Sequence, residues 1–135
     1  MLFRSVRPRT GEIVAMATLP NFNPNNVLAA PEDARRNRVI SDMSEPGSTF
    51  KIVVVSGALN DGLVSLRDTF DCENGRFAFA GKILRDHEHY GVLSVEDIIA
   101  KSSNIGSAKI GIRMTADPLY RHIVEFGFGD RKSVV

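Results

Sequence analysis

Glu45-Pro46-Gly47-Ser48-Thr49-Phe50-Lys51 runs without a break into the apolar stretch Ile52-Val53-Val54-Val55. Pro46 and Gly47 favour a turn, and the run after them to Leu59 predicts a helix closed by Asn60-Asp61-Gly62. Ser48 then falls in the first turn, where free backbone N–H groups and the positive end of the helix dipole favour developing negative charge. Lys51 lies three residues on, so its amine and the Ser48 hydroxyl share a face. An alcohol beside an amine that can shed its proton when desolvated is an activated nucleophile. A bare S-x-x-K is short and common, and on its own it describes an ordinary helix start with a solvated lysine.

Its context says more. A second signature, Ser102-Ser103-Asn104, lies inside Ala100-Lys101-Ser102-Ser103-Asn104-Ile105-Gly106. The two motifs, in this order and with these flanks, resemble the first and second signatures of the penicillin-binding protein transpeptidases, class B in particular. The middle Ser of the second motif, in place of Asp, is usual in that class. The third family motif, K-T-G, does not occur: neither Lys-Thr-Gly nor Lys-Ser-Gly follows downstream. The ends also stand apart. Leu2-Phe3-Arg4-Ser5 and Asp130-Arg131-Lys132-Ser133-Val134-Val135 resemble translations of a sequencing adaptor in its two orientations. Residues 1–5 and 130–135 are therefore expected to be non-native, leaving 6–129 as a partial transpeptidase domain.

Composition is ordinary for a globular domain. The 135 residues are 43% hydrophobic and 24% charged, enough for one modest core. A net charge of +1 favours neither nucleic acid nor a basic membrane patch, and it stays near neutral without the suspect ends. The single Cys72 cannot form an internal disulfide. No apolar run reaches membrane-spanning length and no signal peptide opens the chain.

Along the chain, Thr10-Gly11 marks a turn, and Ile13-Val14-Ala15-Met16-Ala17 after it reads as a strand buried on both faces, because it does not alternate. Pro20 to Asn26 is a loop. Pro31 to Arg38 reads as an exposed short helix or connection. Asp71 to Ile83 predicts a hairpin turning at Asn74-Gly75. In Asp86-His87-Glu88-His89-Tyr90 the two histidines would share a strand face, yet catalytic zinc takes three protein ligands, and a solvated polar loop is the better reading. No metal or cofactor is expected. Ser94-Val95-Glu96-Asp97 is a helix start of capping-box type, which puts Ser102-Ser103-Asn104 at a junction between helices. Ala116-Asp117-Pro118 begins a last helix with Leu119, Ile123 and Phe126 as its buried stripe, ended by Gly127 and Gly129.

The resemblance covers about residues 10 to 129 and implies an α+β chain: a partial penicillin-binding/serine β-lactamase-like fold, mostly helical, with a truncated antiparallel sheet and exposed apolar surface. It implies a serine enzyme that cross-links peptidoglycan stem peptides and is acylated by β-lactams. Carried onto this sequence, Ser48 is the nucleophile and Lys51 its general base. Ser102 relays a proton to the leaving amine, and Asn104 orients Lys51 and the substrate amide. The Ser48 backbone N–H would give one oxyanion donor and the K-T-G strand the other. The parent would sit at the cytoplasmic membrane, with its catalytic domain on the outer face, among cell-wall or division proteins and without nucleic acid. A class D β-lactamase or β-lactam sensor shares an S-x-F-K-like first motif, but its second motif ends in Val, against Asn104 here. A non-catalytic interaction module of the same machinery is the other alternative, favoured if the natural reading frame ended at Val135.

Overall fold

The computed structural model describes residues 2–129, and the chain divides after Glu45 into two compact units. In the first, β1 (Leu2–Val6) pairs antiparallel with β2 (Ile13–Thr18), in a register that sets Phe3 opposite Ala17 and Val6 opposite Ile13. Residues 2–5, set aside on their sequence, thus form most of a strand; Phe3 remains 51% exposed on it. Residues 130–135 lie outside the described residues. The strand at Ile13 forms as expected, but it is not buried on both faces. Ile13 and Val14 are both exposed, because a two-stranded ribbon with only a four-residue helix against it cannot cover two faces. That helix is α2 (Arg38–Ser41), preceded by α1 (Glu32–Arg35).

The second unit is built on α3 (Phe50–Asn60). Its β-branched run packs Val53, Val54 and Val55 inside, and Gly62, with φ +67°, turns the chain away after Asp61. β3 (Thr69–Asp71) pairs with the later strand β6 (Val92–Ser94), while β4 (Arg76–Phe79) pairs with β5 (Lys82–Arg85). The hairpin therefore turns at Ala80-Gly81 and not at Asn74-Gly75. Asn74 and Gly75 do take positive φ, but they form a 3-10 turn that hands the chain from one ribbon to the next. The sheet content is three two-stranded antiparallel ribbons among the described residues, and helix dominates.

Three further helices stand in this unit among the described residues: α4 (Val95–Ala100), α5 (Asn104–Met114) and α6 (Ala116–Glu125). Ser94 caps α4, its hydroxyl accepting from the Asp97 amide at 3.0 Å. Val54, Ala58, Val95, Ile98, Ile105, Ile110 and Met114 form one core between α3, α4 and α5. The face that α6 buries differs from the expected stripe. Leu119 and Ile123 are half-buried and Phe126 is 53% exposed, whereas His122 is buried at the centre of the contact with α3. A histidine fits there because both ring nitrogens meet carboxylates, Asp61 at 3.0 Å and Glu125 at 2.9 Å. Apolar side chains such as Ile52, Leu66 and Ile99 stay exposed elsewhere on the unit.

Candidate active site

Gly47 takes φ +58°, a conformation open to glycine, and starts the 3-10 turn Gly47–Thr49 that leads into α3. The Thr49 hydroxyl donates back to the Pro46 carbonyl and stabilises this turn. Ser48 is left exposed at the mouth of the helix, and Lys51, half-buried, stands in the first turn of α3.

The second motif reaches them from the junction of α4 and α5. The Lys101 and Ser102 amides close α4 by donating hydrogen bonds to the Asp97 and Ile99 carbonyls. Ser102 then takes φ +54°, left-handed for a residue with a side chain. Lys51 Nζ donates to the Ser102 carbonyl at 2.5 Å and to Ser102 Oγ at 2.9 Å. Ser102 Oγ donates in turn to Ser48 Oγ at 3.2 Å. The three side chains form a chain of hydrogen bonds with Ser102 in the middle. Burial pulls the Lys51 amine below the ordinary lysine value, and the nearby Asp86 carboxylate pushes it partly back.

Ser103 points the other way, into the protein, where its hydroxyl caps α5 by accepting from the Gly106 amide at 2.9 Å. Asn104 opens α5, but no hydrogen bond joins it to Lys51 among the described residues. Its Nδ2 donates to the Arg85 carbonyl at 2.7 Å instead. Asn104 and Lys51 do border the same groove, a cavity of about 760 Å³ with walls from Phe50, Val54, Leu84, Ile112 and Leu119.

Sequence reading missed one participant. Asp86, placed in a solvated loop by its polar neighbours, accepts from Ser103 Oγ at 2.8 Å and from the Asn104 and Ile105 amides at 2.5 and 3.1 Å. No local pattern marks it, since all its partners lie more than 15 residues away in the chain. His89 in the same segment bonds the Asn74 carbonyl at 2.9 Å. Among the described residues, no group of three or more His, Cys, Asp or Glu could hold a metal ion. No described helix is long and apolar enough to cross a membrane.

Residues 2–134 match the family described as the penicillin binding protein transpeptidase domain. Peptidoglycan D,D-transpeptidase FtsI of Escherichia coli (strain K12) is 38% identical over 120 residues, which are 89% of this chain and 20% of that protein. The "Probable peptidoglycan D,D-transpeptidase PenA" of Neisseria gonorrhoeae is 37% identical over 123 residues, covering 91% and 21% respectively. The chain thus spans about a fifth of the length of these curated relatives. Among solved structures, the D,D-transpeptidase domain of a peptidoglycan glycosyltransferase from Eggerthella lenta has a TM-score of 0.81 at 30% identity, over 93% of this chain and 32% of that one. The transpeptidase domain of Burkholderia pseudomallei penicillin-binding protein 3 has a TM-score of 0.75 at 31% identity, over 93% and 34%.

Proposed function

The chain belongs to the penicillin-binding protein transpeptidase family, and from that premise we propose that the protein carrying it is a serine D,D-transpeptidase that cross-links peptidoglycan stem peptides. The observation that carries this reading is the position of Ser102 Oγ, 2.9 Å from Lys51 Nζ and 3.2 Å from Ser48 Oγ. With Lys51 neutral, the same hydrogen bonds can run in reverse. Ser48 then gives its proton through Ser102 to the amine as its oxygen attacks the penultimate D-Ala carbonyl. The tetrahedral intermediate collapses with cleavage of the peptide C–N bond. The proton held on Lys51 returns through Ser102 to the departing D-Ala nitrogen, leaving an ester on Ser48. An amine of a second stem peptide then attacks that ester. It forms the cross-link, and Ser48 regains a proton.

Partial desolvation of Lys51 supports its part as base, because it favours the neutral amine. Asn104, fixed by Arg85 and bordering the groove beside Lys51, is assigned to the substrate amide. The Ser48 amide, in the first turn before α3, is assigned as one oxyanion donor. β-Lactams mimic the D-Ala-D-Ala end and acylate the same serine. We assign the domain to the outer face of the cytoplasmic membrane, where such a reaction would meet stem peptides, beside other proteins of wall synthesis or division. The test is covalent labelling of the protein that carries this chain by a fluorescent penicillin. Labelling that survives denaturation and is lost in Ser48→Ala supports the assignment. Labelling that persists in Ser48→Ala overturns it.

A further inference from the structure

Nothing in the chemistry of Ser48, Lys51 and Ser102 calls on Asp86, yet its carboxylate is the most heavily bonded side chain near them. It stands just past the end of β5. One oxygen accepts from the Asn104 amide at 2.5 Å and the Ile105 amide at 3.1 Å, and the other accepts from the Ser103 hydroxyl at 2.8 Å. Ser103 Oγ passes the tie on, accepting from the Gly106 amide at 2.9 Å and lying 3.4 Å from Cys72 Sγ. The first three amides of α5 are therefore all satisfied by two side chains, and one of these is an anion at the positive end of the helix. The preceding residue, Arg85, takes the Asn104 side chain on its carbonyl at 2.7 Å.

These bonds bear on Ser102, which none of them touches. Ser102 holds a left-handed backbone, which costs a residue with a Cβ energy and persists only where neighbouring contacts impose it. On one side it is tied by its amide to the Ile99 carbonyl, and the Ser103 amide is tied to Ile98. On the other side Asp86 holds residues 103, 104 and 105. We propose that Asp86 is a positioning residue for the acyl-transfer reaction, fixing the backbone so that Ser102 presents both its hydroxyl and its carbonyl to Lys51. The proposal rests on the function proposed above. It adds that the end of β5, through one carboxylate, sets the geometry of the second motif against the first. Asp86 also acts on Lys51 through space, its charge opposing the effect of burial on the amine.

Two variants separate these effects. Asp86→Asn keeps an oxygen for the backbone amides and removes the charge, whereas Asp86→Ala removes both. Three readouts follow them: amide hydrogen exchange at Asn104 and Ile105, the titration of Lys51 by NMR of 13C-labelled lysine (assigned with Lys51→Arg), and the penicillin labelling rate of the protein carrying the chain. In both variants Lys51 should titrate at lower pH than in the wild type, while Glu88→Gln, two residues away, should leave it unmoved. In Asp86→Ala the amides of Asn104 and Ile105 should exchange faster while Ile110 in the core stays protected. Labelling should slow by about ten- to a hundred-fold, as expected when a reacting constellation loses its support. An intact fold in which Asn104 and Ile105 exchange as in the wild type in Asp86→Ala overturns the proposal, as does undiminished labelling of that variant. If Ser48 never labels, even in the wild type, while the Asn104 and Ile105 amides lose protection in Asp86→Ala, the positioning stands and the reaction assignment falls.

Discussion

The backbone of Gly57 lies so close to the ring of His122 that a Cβ at position 57 would stand 2.6 Å from one ring carbon and 2.8 Å from another. This approach lets α3 and α6 pack with a histidine between them, and it holds Asp61, at the end of α3, against the His122 ring. The ring can yield little, being fixed by carboxylates at both nitrogens. Gly57→Ala should therefore destabilise the unit by about 1–3 kcal/mol, since overpacking outweighs the better helix propensity of alanine. Gly111→Ala is the contrasting case. Its nearest contact would be an ordinary 3.5 Å to Val54, so propensity should win and stability rise by about 0.5–1 kcal/mol. Denaturant midpoints of the two variants measure both signs, and equal signs would defeat the packing account.

A prediction about pH follows from Lys51. Burial holds its amine below the ordinary lysine value, so between the folded value and the ordinary one the unfolded chain binds a proton the folded chain has shed. Stability from this group therefore rises with pH across that window. Cys72 and Tyr90 act in the opposite sense. Burial raises both, so the unfolded state sheds its proton first and stability falls as pH climbs past their ordinary values. Both remain in a Lys51→Met variant, so the difference between the wild type and the variant isolates the lysine. Relative to Lys51→Met, the wild type should gain stability as pH rises from neutral toward the ordinary lysine value. A difference that stays flat with pH would show that Lys51 is not desolvated.

The turn between β4 and β5 yields a third expectation. Ala80 sits at φ +49° and Gly81 at φ +75°, in a two-residue connection that sets Phe79 opposite Lys82. Two successive positive φ angles are the pattern that favours Asn-Gly, and alanine adopts the first only with strain. Ala80→Asn should stabilise the hairpin by about 0.5–1 kcal/mol, visible as slower amide exchange across residues 76–85. A loss of protection would mean that the turn has another geometry in solution.

What could be read from the sequence follows the range of the interactions involved. The helix after Ser48, the Ser94 cap and the junction at Ser102–Asn104 depend on neighbours within a few residues, and the structure has them where local chemistry puts them. Asn74-Gly75 misled because positive φ angles suit any tight turn, and only pairing with Lys82–Arg85 shows which turn closes the hairpin. Ile13 and Val14 have the composition of a buried strand, yet burial depends on layers that no strand specifies for itself. His122 in place of Phe126 on the buried face reflects the carboxylates of Asp61 and Glu125, the first of them 61 positions away. Asp86 was hidden for the same reason: its value lies wholly in partners brought near by the fold.

The last expectation concerns the chain on its own. Its sequence holds the Ser48–Lys51 and Ser102–Asn104 motifs but no Lys-Thr-Gly or Lys-Ser-Gly. The family resemblance implies that this third motif would supply a second oxyanion donor and a wall to bind the substrate carboxylate. Loss of one oxyanion donor costs on the order of a hundred- to thousand-fold in rate. Loss of the clamp that orients the substrate adds to this, because a misplaced carbonyl no longer meets the nucleophile. The 135-residue chain should therefore react with a fluorescent penicillin at least about a hundred-fold more slowly than an intact family member. A longer protein that includes the third motif should recover the rate. The adduct survives denaturation, so gel fluorescence over a time course gives both rates directly. Labelling of this chain at the rate of an intact enzyme, abolished by Ser48→Ala, would keep Ser48 as the nucleophile. It would also show that the third motif is not needed for acylation.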